Sequence, residues 1–519
     1  MLSAMMPSTS FDLAILGAGA AGIMAAIAAG ETTSYRRRLA GGNGATSRQD
    51  SNQPQLVPAH PRQAGGYIAL FEKNARPGIK VLVCGGGRCN FTNAGSTDFL
   101  IQQFGRHGRF LAPALRHLDN QALRDFFLRL GVPSHVEAGG KVYPDSHQAR
   151  SIVDALTRRM TELGVHIFSG AQHAITSVQA GPPPIEDRES KSENHFLLTT
   201  ADGATYTSRA VILALGGMSY QRMGTVGDGY RLAAALGHTI NTPRPAIVGL
   251  IAQEPWIKDL QGLAVRDIEV TIEPPSNQKS KMGGGENRKS HGDLLFTHFG
   301  LSGQAILNPS EIVAAMLETA PPPSPAVTLR VDFTPRASHD AAHAILRSWQ
   351  QHHGKKRLRT MLADRAPEIL ITTTSPDQTA AESPGPSIED QNSGGAKIGN
   401  PLALPARLAV ALCQLEDIPP DQPCATLTAA QIHRLALRLK RCPFTIIATR
   451  GFQEAMVTAG GVSLREVDPR TLESRLVPGL FLTGEVLDLT GPSGGYNLQL
   501  AFSTGHLAGT TVGRRLAGA

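Results

Sequence analysis

Residues 12–30, DLAILGAGAAGIMAAIAAG, decide how the rest of the chain is read. Asp12 to Leu16 is a short apolar run of strand character, Gly17 to Gly22 is a tight glycine turn, and an Ala-rich helix follows. Within the turn Gly17, Gly19 and Gly22 form GxGxxG, with Ala20 and Ala21 between the last two. The first glycine permits the turn, the second lets backbone amides approach a pyrophosphate, and the third lets the helix pack on the strand. The helix N-terminus adds partial positive charge. Glycine turns are common on their own; the strand, turn and helix in sequence make this one a dinucleotide site.

Such a site needs a second strand ending in an acid for the ribose hydroxyls, ~20 residues on. Glu72 in IALFEK has that form but stands much farther along the chain. The segment 31–65 between them is rich in Ser, Arg, Gly, Asn, Gln and Pro without apolar periodicity, and reads as a flexible insertion whose removal restores the spacing. Directly after this strand comes CGGGRCNFTN, Cys84 to Asn93. Three consecutive glycines favour neither helix nor strand, so this backbone is expected to approach a ligand closely.

The chain has 519 residues, enough for two or three domains. Its apolar fraction of 41% and charged fraction of 18% are those of a globular protein, while 54 Gly and 35 Pro imply much loop. A net charge of +7 is small for this length, so no nucleic acid is expected as partner. The cysteines, at 84, 89, 413, 424 and 442, are odd in number and form no framework, which favours a reducing cytoplasm. The start MLSAMMPSTSF lacks the pattern of a secretory signal, and no apolar run approaches the ~20 residues of a membrane helix. A cytoplasmic protein without membrane contact is therefore expected, and no metal site is read from the sequence.

Low-complexity stretches recur at 181–194, 274–292, 321–325 and 372–400. Strand patterns HAITSV, HFLLTT and ATYTSRAVILALGG precede Gly216, and a helix fits 227–236. Short alternating runs such as LAVRDIEVTIEP suggest a β-rich insert over 246–334, and helical patterns fill 335–443 around a linker at 372–400. The chain then returns to strands and ends in a helix near 498–515. The expected fold is α/β: a split Rossmann-like nucleotide domain over 1–245 and 444–519, with a β-rich insert and a helical subdomain. In the last part, GLFLTGEVLDLTGPSGGYNLQLAFSTG reads as a strand ending at Gly484-Glu485, a loop, and a helix opened by Gly495, Tyr496, Asn497 and Leu498. Free amides and the positive end of such a helix would stabilise negative charge near N1 and the C2 carbonyl of a reduced flavin.

The blocks GAGAAG, FEKNARPGIKVLVCGGGRCNFTN, GGKVYPDSHQARSIVDAL, LALGGMSYQRMGTVGDGYRLAAALGH, GDLLFTHFGLSGQAIL, VTAGGVSLREVDPRTLESR and GEVLDLTGPSGGYNLQLAFSTG, in this order from residue 12 to about 510, resemble the HI0933-like family of bacterial FAD-dependent oxidoreductases, which includes aminoacetone oxidase-like and BaiN-like flavoproteins. The main departures are the insertions at 31–65 and 372–400. The resemblance implies FAD in a two-dinucleotide-type fold with a β-barrel-like insert. By position it puts Gly17, Gly19, Ala20, Ala21 and Gly22 at the pyrophosphate, Glu72 and Lys73 at the adenosine ribose, and Ile175 at the adenine. Gly86, Gly87, Arg88, Cys89 and Asn90 would lie on the ribityl and isoalloxazine side, with Gly216, Gly484, Glu485, Asp488, Gly495, Tyr496, Asn497 and Leu498 completing the site. The block GTVGDGYRLA is also similar to one in fumarate-reductase flavoproteins, which hints at reduction of a polarised C=C bond.

Arg88 either meets an anionic substrate or flavin phosphate, or secures its loop through a salt bridge. His298 and Tyr496 are candidate acids, Arg88 and Asn90 candidate substrate contacts, each weighed against a structural role; Tyr143 is a further acid by type. Cys84 and Cys89 have the C-x4-C spacing of flavin disulfide reductases, but the three glycines between them do not suit the helix such a pair occupies. The expected activity is hydride transfer through flavin N5 from NAD(P)H, bound transiently, to a small organic acceptor or oxygen. An oxidase of an amine-type donor and a flavin-containing RNA-modifying or RNA-binding protein are the alternatives.

Overall fold

The computed structural model describes residues 9–40, 67–181, 195–273, 288–319, 327–364 and 400–518. Contacts divide the chain into two compact units, one running to Val248 and resuming at Arg450, the other Gly249–Thr449.

The first unit is built on a seven-stranded sheet. Strand β1 (Thr9–Leu16) lies between β2 (Ile68–Glu72) and Thr205–Leu213, parallel to both, and β2 pairs in parallel with His166–Ser169. The far edge of Thr205–Leu213 is shared: residues 205–208 pair antiparallel with the meander strand His195–Thr200, and residues 211–213 pair in parallel with Leu480–Leu482. That last pairing inserts a C-terminal strand beside N-terminal ones, so the nucleotide-type sheet is split in sequence but continuous in space. β2 is buried along its whole length, as strands covered on both faces are.

Helix α1 (Ala20–Ala40) follows the glycine turn and is buried from Ala20 to Gly30. A helix apolar all round must be covered all round. One covering element is the C-terminal helix Tyr496–Leu516, which crosses α1 glycine against alanine: a Cβ on Gly505 would come 2.2 Å from the Ala21 carbonyl oxygen, and one on Gly509 2.2 Å from that of Ala25. The insertion expected from residue 31 begins later, because α1 continues to Ala40. Glu31 is held there by Arg159 at 2.9 Å, and Thr32 and Thr33 donate to the Ala28 and Ala29 carbonyls. The remainder of that insertion, 41–65, lies outside the described residues, as do 182–194, 274–287, 321–325 and 372–399 of the other low-complexity stretches.

The second unit is a closed six-stranded barrel in the order Leu250–Ala252, Gly300–Ser302, Lys289–Phe296, Ala264–Glu273, Val327–Asp332 and Cys442–Thr449. Its helices, His339–His352, Leu358–Ala363, Ala406–Leu415 and Ala429–Lys440, share one hydrophobic cluster with the barrel, including Trp349, Leu412, Leu435 and Phe444. The separate helical subdomain expected at 335–443 is thus part of the barrel unit. Cys442–Thr449, read as the start of the returning nucleotide domain, is the strand that closes the barrel between Val327–Asp332 and Leu250–Ala252. Alternation of buried residues along a strand says that one face is covered; it does not say by which unit.

Candidate functional site

The first unit carries a cleft of about 1080 Å³, counting its open mouth. Its wall includes Gly17 to Ala21 with Glu72, Lys73 and Asn74, and from the C-terminal part of the chain Thr483, Glu485, Asn497 and Leu498. Gly17 sits at φ +99°, and a Cβ there would come 2.6 Å from the Ala214 oxygen, so the crossing of β1 with Ala214 requires glycine. At Gly19 the reverse holds: a Cβ would meet nothing within 4 Å, and the residue lines the cleft. Backbone amides at the start of α1 are therefore open to a ligand on that side.

Glu72 already orders the turn. Its carboxylate accepts from Ala18 N at 2.9 Å, and from Asn74 N and Nδ2 at 2.8 Å each, while remaining on the cleft wall. Lys73 pairs with Asp228 at 2.5 Å, both also on the wall. Also on the wall, Lys80 of α2 (Ile79–Val83) donates to Glu485 Oε2 and Ser219 Oγ at 2.6 Å each. Ser219 donates to Glu485 Oε1 at 2.6 Å, and Thr458 N to the same oxygen at 2.8 Å. This network joins four separate stretches of chain around one carboxylate. Beside it, burial and the Glu485 and Asp488 charges push the Tyr230 phenol well up from its ordinary value.

A dinucleotide fits these residues on two observations. Thr483 Oγ1 is buried on the cleft wall with no hydrogen-bond partner among the described residues, the state of a hydroxyl whose partner is a ligand. The space at Gly19, which any side chain would fill, is the second.

The residues singled out from the sequence divide accordingly. Gly17, Gly19, Ala20, Ala21, Glu72, Lys73, Gly216, Glu485, Asn497 and Leu498 line the cleft together. Gly22 packs helix on strand, its Cβ position 1.9 Å from the Gly17 oxygen. Gly484 donates its N–H to Thr504 Oγ1 at 3.0 Å, and Asp488 accepts from Asn241 at 2.8 Å. Ile175 is a buried core residue at a strand start. Gly495, at φ +96°, opens the C-terminal helix, and Tyr496 is buried with its ring edge-on to Phe104.

The glycine stretch that follows α2 contributes Cys84 to the cleft; Gly86 to Asn90 are not on its wall. Arg88 has the salt bridge, 2.9 Å to Glu137, and its guanidinium lies 4.2 Å over the Tyr143 ring. Asn90 Oδ1 accepts from Val142 N at 3.2 Å, and Cys89 is fully buried. Both cysteines are free thiols. Burial, reinforced by Glu485, pushes Cys84 up to about 11 against the opposing pull of Lys80, and burial raises Cys89 as well. His298 is exposed on a turn of the barrel unit, its ring against Phe299. Sequence reading missed Lys80, Ser219 and Thr458. Each is an ordinary residue of its segment, and only the pairing of segments far apart in the chain brings them together.

Comparison with known proteins matches the HI0933-like protein Rossmann domain to residues 57–511. A 3-dehydro-bile acid delta(4,6)-reductase of Clostridium scindens is 28% identical over 97% of this chain and 99% of its own. Ribosomal RNA dihydrouridine synthases of Escherichia coli and Haemophilus influenzae are 27% and 25% identical, over 95% and 87% of this chain and 96% and 94% of theirs.

Proposed function

Because the chain belongs to the HI0933-like family of flavin-dependent oxidoreductases, we propose that it is an FAD-dependent reductase adding a hydride to a carbon–carbon double bond conjugated with a carbonyl, with NADH or NADPH as transient donor. The observation that carries this reading is the cleft, whose wall combines a glycine turn, a helix start and a residue with an unpartnered buried hydroxyl, Thr483. The activities named for the relatives support the acceptor class. A 3-oxo steroid unsaturated at positions 4 and 6 and a uridine base both hold a C=C polarised by a carbonyl.

Bound FAD supplies the atom, N5, that takes up and passes on the hydride. The chain's own residues bind and orient. Amides at the helix start, Gly19 to Ala21, would hold the diphosphate, Glu72 would face the adenosine ribose, and Lys80, Thr483 and Glu485 would lie along the rest of the cofactor. The helix start at Asn497 and Leu498, on the cleft wall, would offer its positive end to the negative charge that reduction puts on a flavin.

The test is a visible spectrum of the purified protein, followed under anaerobic conditions by bleaching with NADH or NADPH and recovery on adding a conjugated enone. A protein that is colourless and takes up no added FAD would sink the reading. Bleaching by an amine alone would make it an oxidase. A second reading, uridine in ribosomal RNA as the acceptor, is favoured by the two synthase relatives, each matched over nearly its whole length. In that case rRNA restores the colour and the protein is retained on RNA in a salt-dependent way; no retention at low salt removes it.

A further inference from the structure

On the hairpin formed by Ser134–Val136 and Lys141–Pro144, away from the wall of the cleft, three potential metal-ligand side chains meet. His135, Glu137 and His147 each bring one ligand atom, all within 4.8 Å of one another. His135 Nε2 is 3.5 Å and His147 Nδ1 3.9 Å from Glu137 Oε1. Ligand atoms around a tetrahedral ion with bonds of ~2.1 Å stand ~3.4 Å apart, so Glu137 is already near that spacing from both rings, and closing the two histidines onto an ion takes a shift of up to ~1 Å.

Two further features distinguish this cluster from a chance grouping of polar side chains. His135 Nδ1 is 2.9 Å from Asp145 Oδ1, so a carboxylate fixes the ring with Nε2 turned to Glu137, as the outer carboxylate does for a metal-bound histidine. His147 is held at φ +50°, an uncommon conformation for a residue with a side chain, and its ring lies 4.7 Å from that of His135, tilted by 57°. Its backbone N–H bonds to the Pro144 carbonyl at 2.9 Å, so the turn is fixed by the chain itself.

We propose that His135, Glu137 and His147 form a binding site for a divalent cation of the zinc class, with Asp145 as the positioning carboxylate. Two imidazoles and one carboxylate suit Zn²⁺, Co²⁺ or Ni²⁺ and leave a fourth position for water. The oxygen that both histidines approach, Glu137 Oε1, also accepts from Arg88 at 2.9 Å. Cation and guanidinium therefore compete for it, and loading the site frees Arg88 from its ion pair.

Cobalt reports this directly, since tetrahedral Co²⁺ absorbs at longer wavelength than flavin. The purified holoprotein, stripped with a chelator and titrated with Co²⁺, is expected to develop that band at one ion per chain and to lose it when Zn²⁺ is added. His135→Ala and His147→Ala each abolish the band. Asp145→Asn removes no ligand and weakens binding by about tenfold to a hundredfold. Arg88→Gln removes the competitor and tightens binding severalfold, an effect that no generally damaged hairpin would give. Absence of the band in the parent protein, or an unchanged titration in the His135→Ala, His147→Ala double variant, overturns the site. Weaker binding in Arg88→Gln overturns the competition.

Discussion

Single residues carry charge in this protein mostly through partners far away in sequence. Lys80 and Glu485 are separated by some four hundred residues and meet at 2.6 Å on the cleft wall. A charge-assisted bond of this kind contributes ~1.5–3 kcal/mol, which corresponds to roughly tenfold to a hundredfold in affinity when a ligand shares it. Lys80→Met is accordingly expected to weaken FAD binding by at least tenfold, with Lys80→Arg recovering part of the loss; titration of apoprotein followed by flavin fluorescence measures both. His506 shows the opposite case, a buried group kept neutral. Burial, then the charges of His117 and Arg129, push it down to about 4, and its Nδ1 lies 3.0 Å from His117 Nε2. The unfolded chain titrates this residue near 6.5. Above that pH both states are neutral and the contribution is fully present. As pH falls from 6.5 toward 4 the unfolded chain takes up a proton that the folded one refuses, so stability drops, by ~3 kcal/mol across the window. Urea midpoints at pH 7 and pH 4.5 are expected to separate in the parent protein and to draw together in His506→Gln. Equal separation in both would locate the acid sensitivity elsewhere.

At the scale of elements, the contact between α1 and the C-terminal helix is the most demanding. Gly505 and Gly509 bring one backbone against the other so closely that no Cβ fits at either position. Gly→Ala in a free helix stabilises by ~1 kcal/mol, yet here the methyl of Gly509→Ala must push the helices apart, and overpacking costs ~1–3 kcal/mol or more. The packing effect wins, so this variant is expected to melt several degrees lower and to release flavin in the same transition, as followed by circular dichroism and flavin fluorescence. Individual elements of this kind were legible in the sequence where local chemistry dictates them. The glycine turn, the acid-ended β2, the helix after Gly227 and the strand before Gly484 all follow from spacing and residue type. Arg88 and Asn90 were picked out by position, but the partners that engage them, Glu137, Tyr143 and Val142, come from a hairpin whose register no local pattern encodes. The same holds for Cys442–Thr449, which has strand character in sequence and barrel membership only through its two neighbours.

For the whole molecule the question is whether the nucleotide-type unit is self-sufficient although a second unit interrupts its chain. Its core, running from Phe11 to Val512, and that of the barrel unit, from Leu250 to Ile446, are separate clusters. The two ends left by the interruption lie side by side: Ile240–Ala246 pairs antiparallel with Val457–Val462, Ala246 opposite Val457, and Met456 N bonds to the Ile247 carbonyl at 3.3 Å. A chain crossing between these ends needs only a short turn, the situation in which an inserted unit can be removed with little loop-closure cost. Every residue on the cleft wall belongs to this first unit, including Met456 and Val457 just after the junction. Joining residue 248 to residue 450 through a short Gly-Ser linker is therefore expected to give a folded protein that unfolds cooperatively and still takes up FAD. Near-ultraviolet circular dichroism and flavin absorbance after gel filtration measure the two properties separately. A cooperative but colourless product would assign the barrel unit a part in holding the cofactor; an uncooperative one would show that the first core depends on the second.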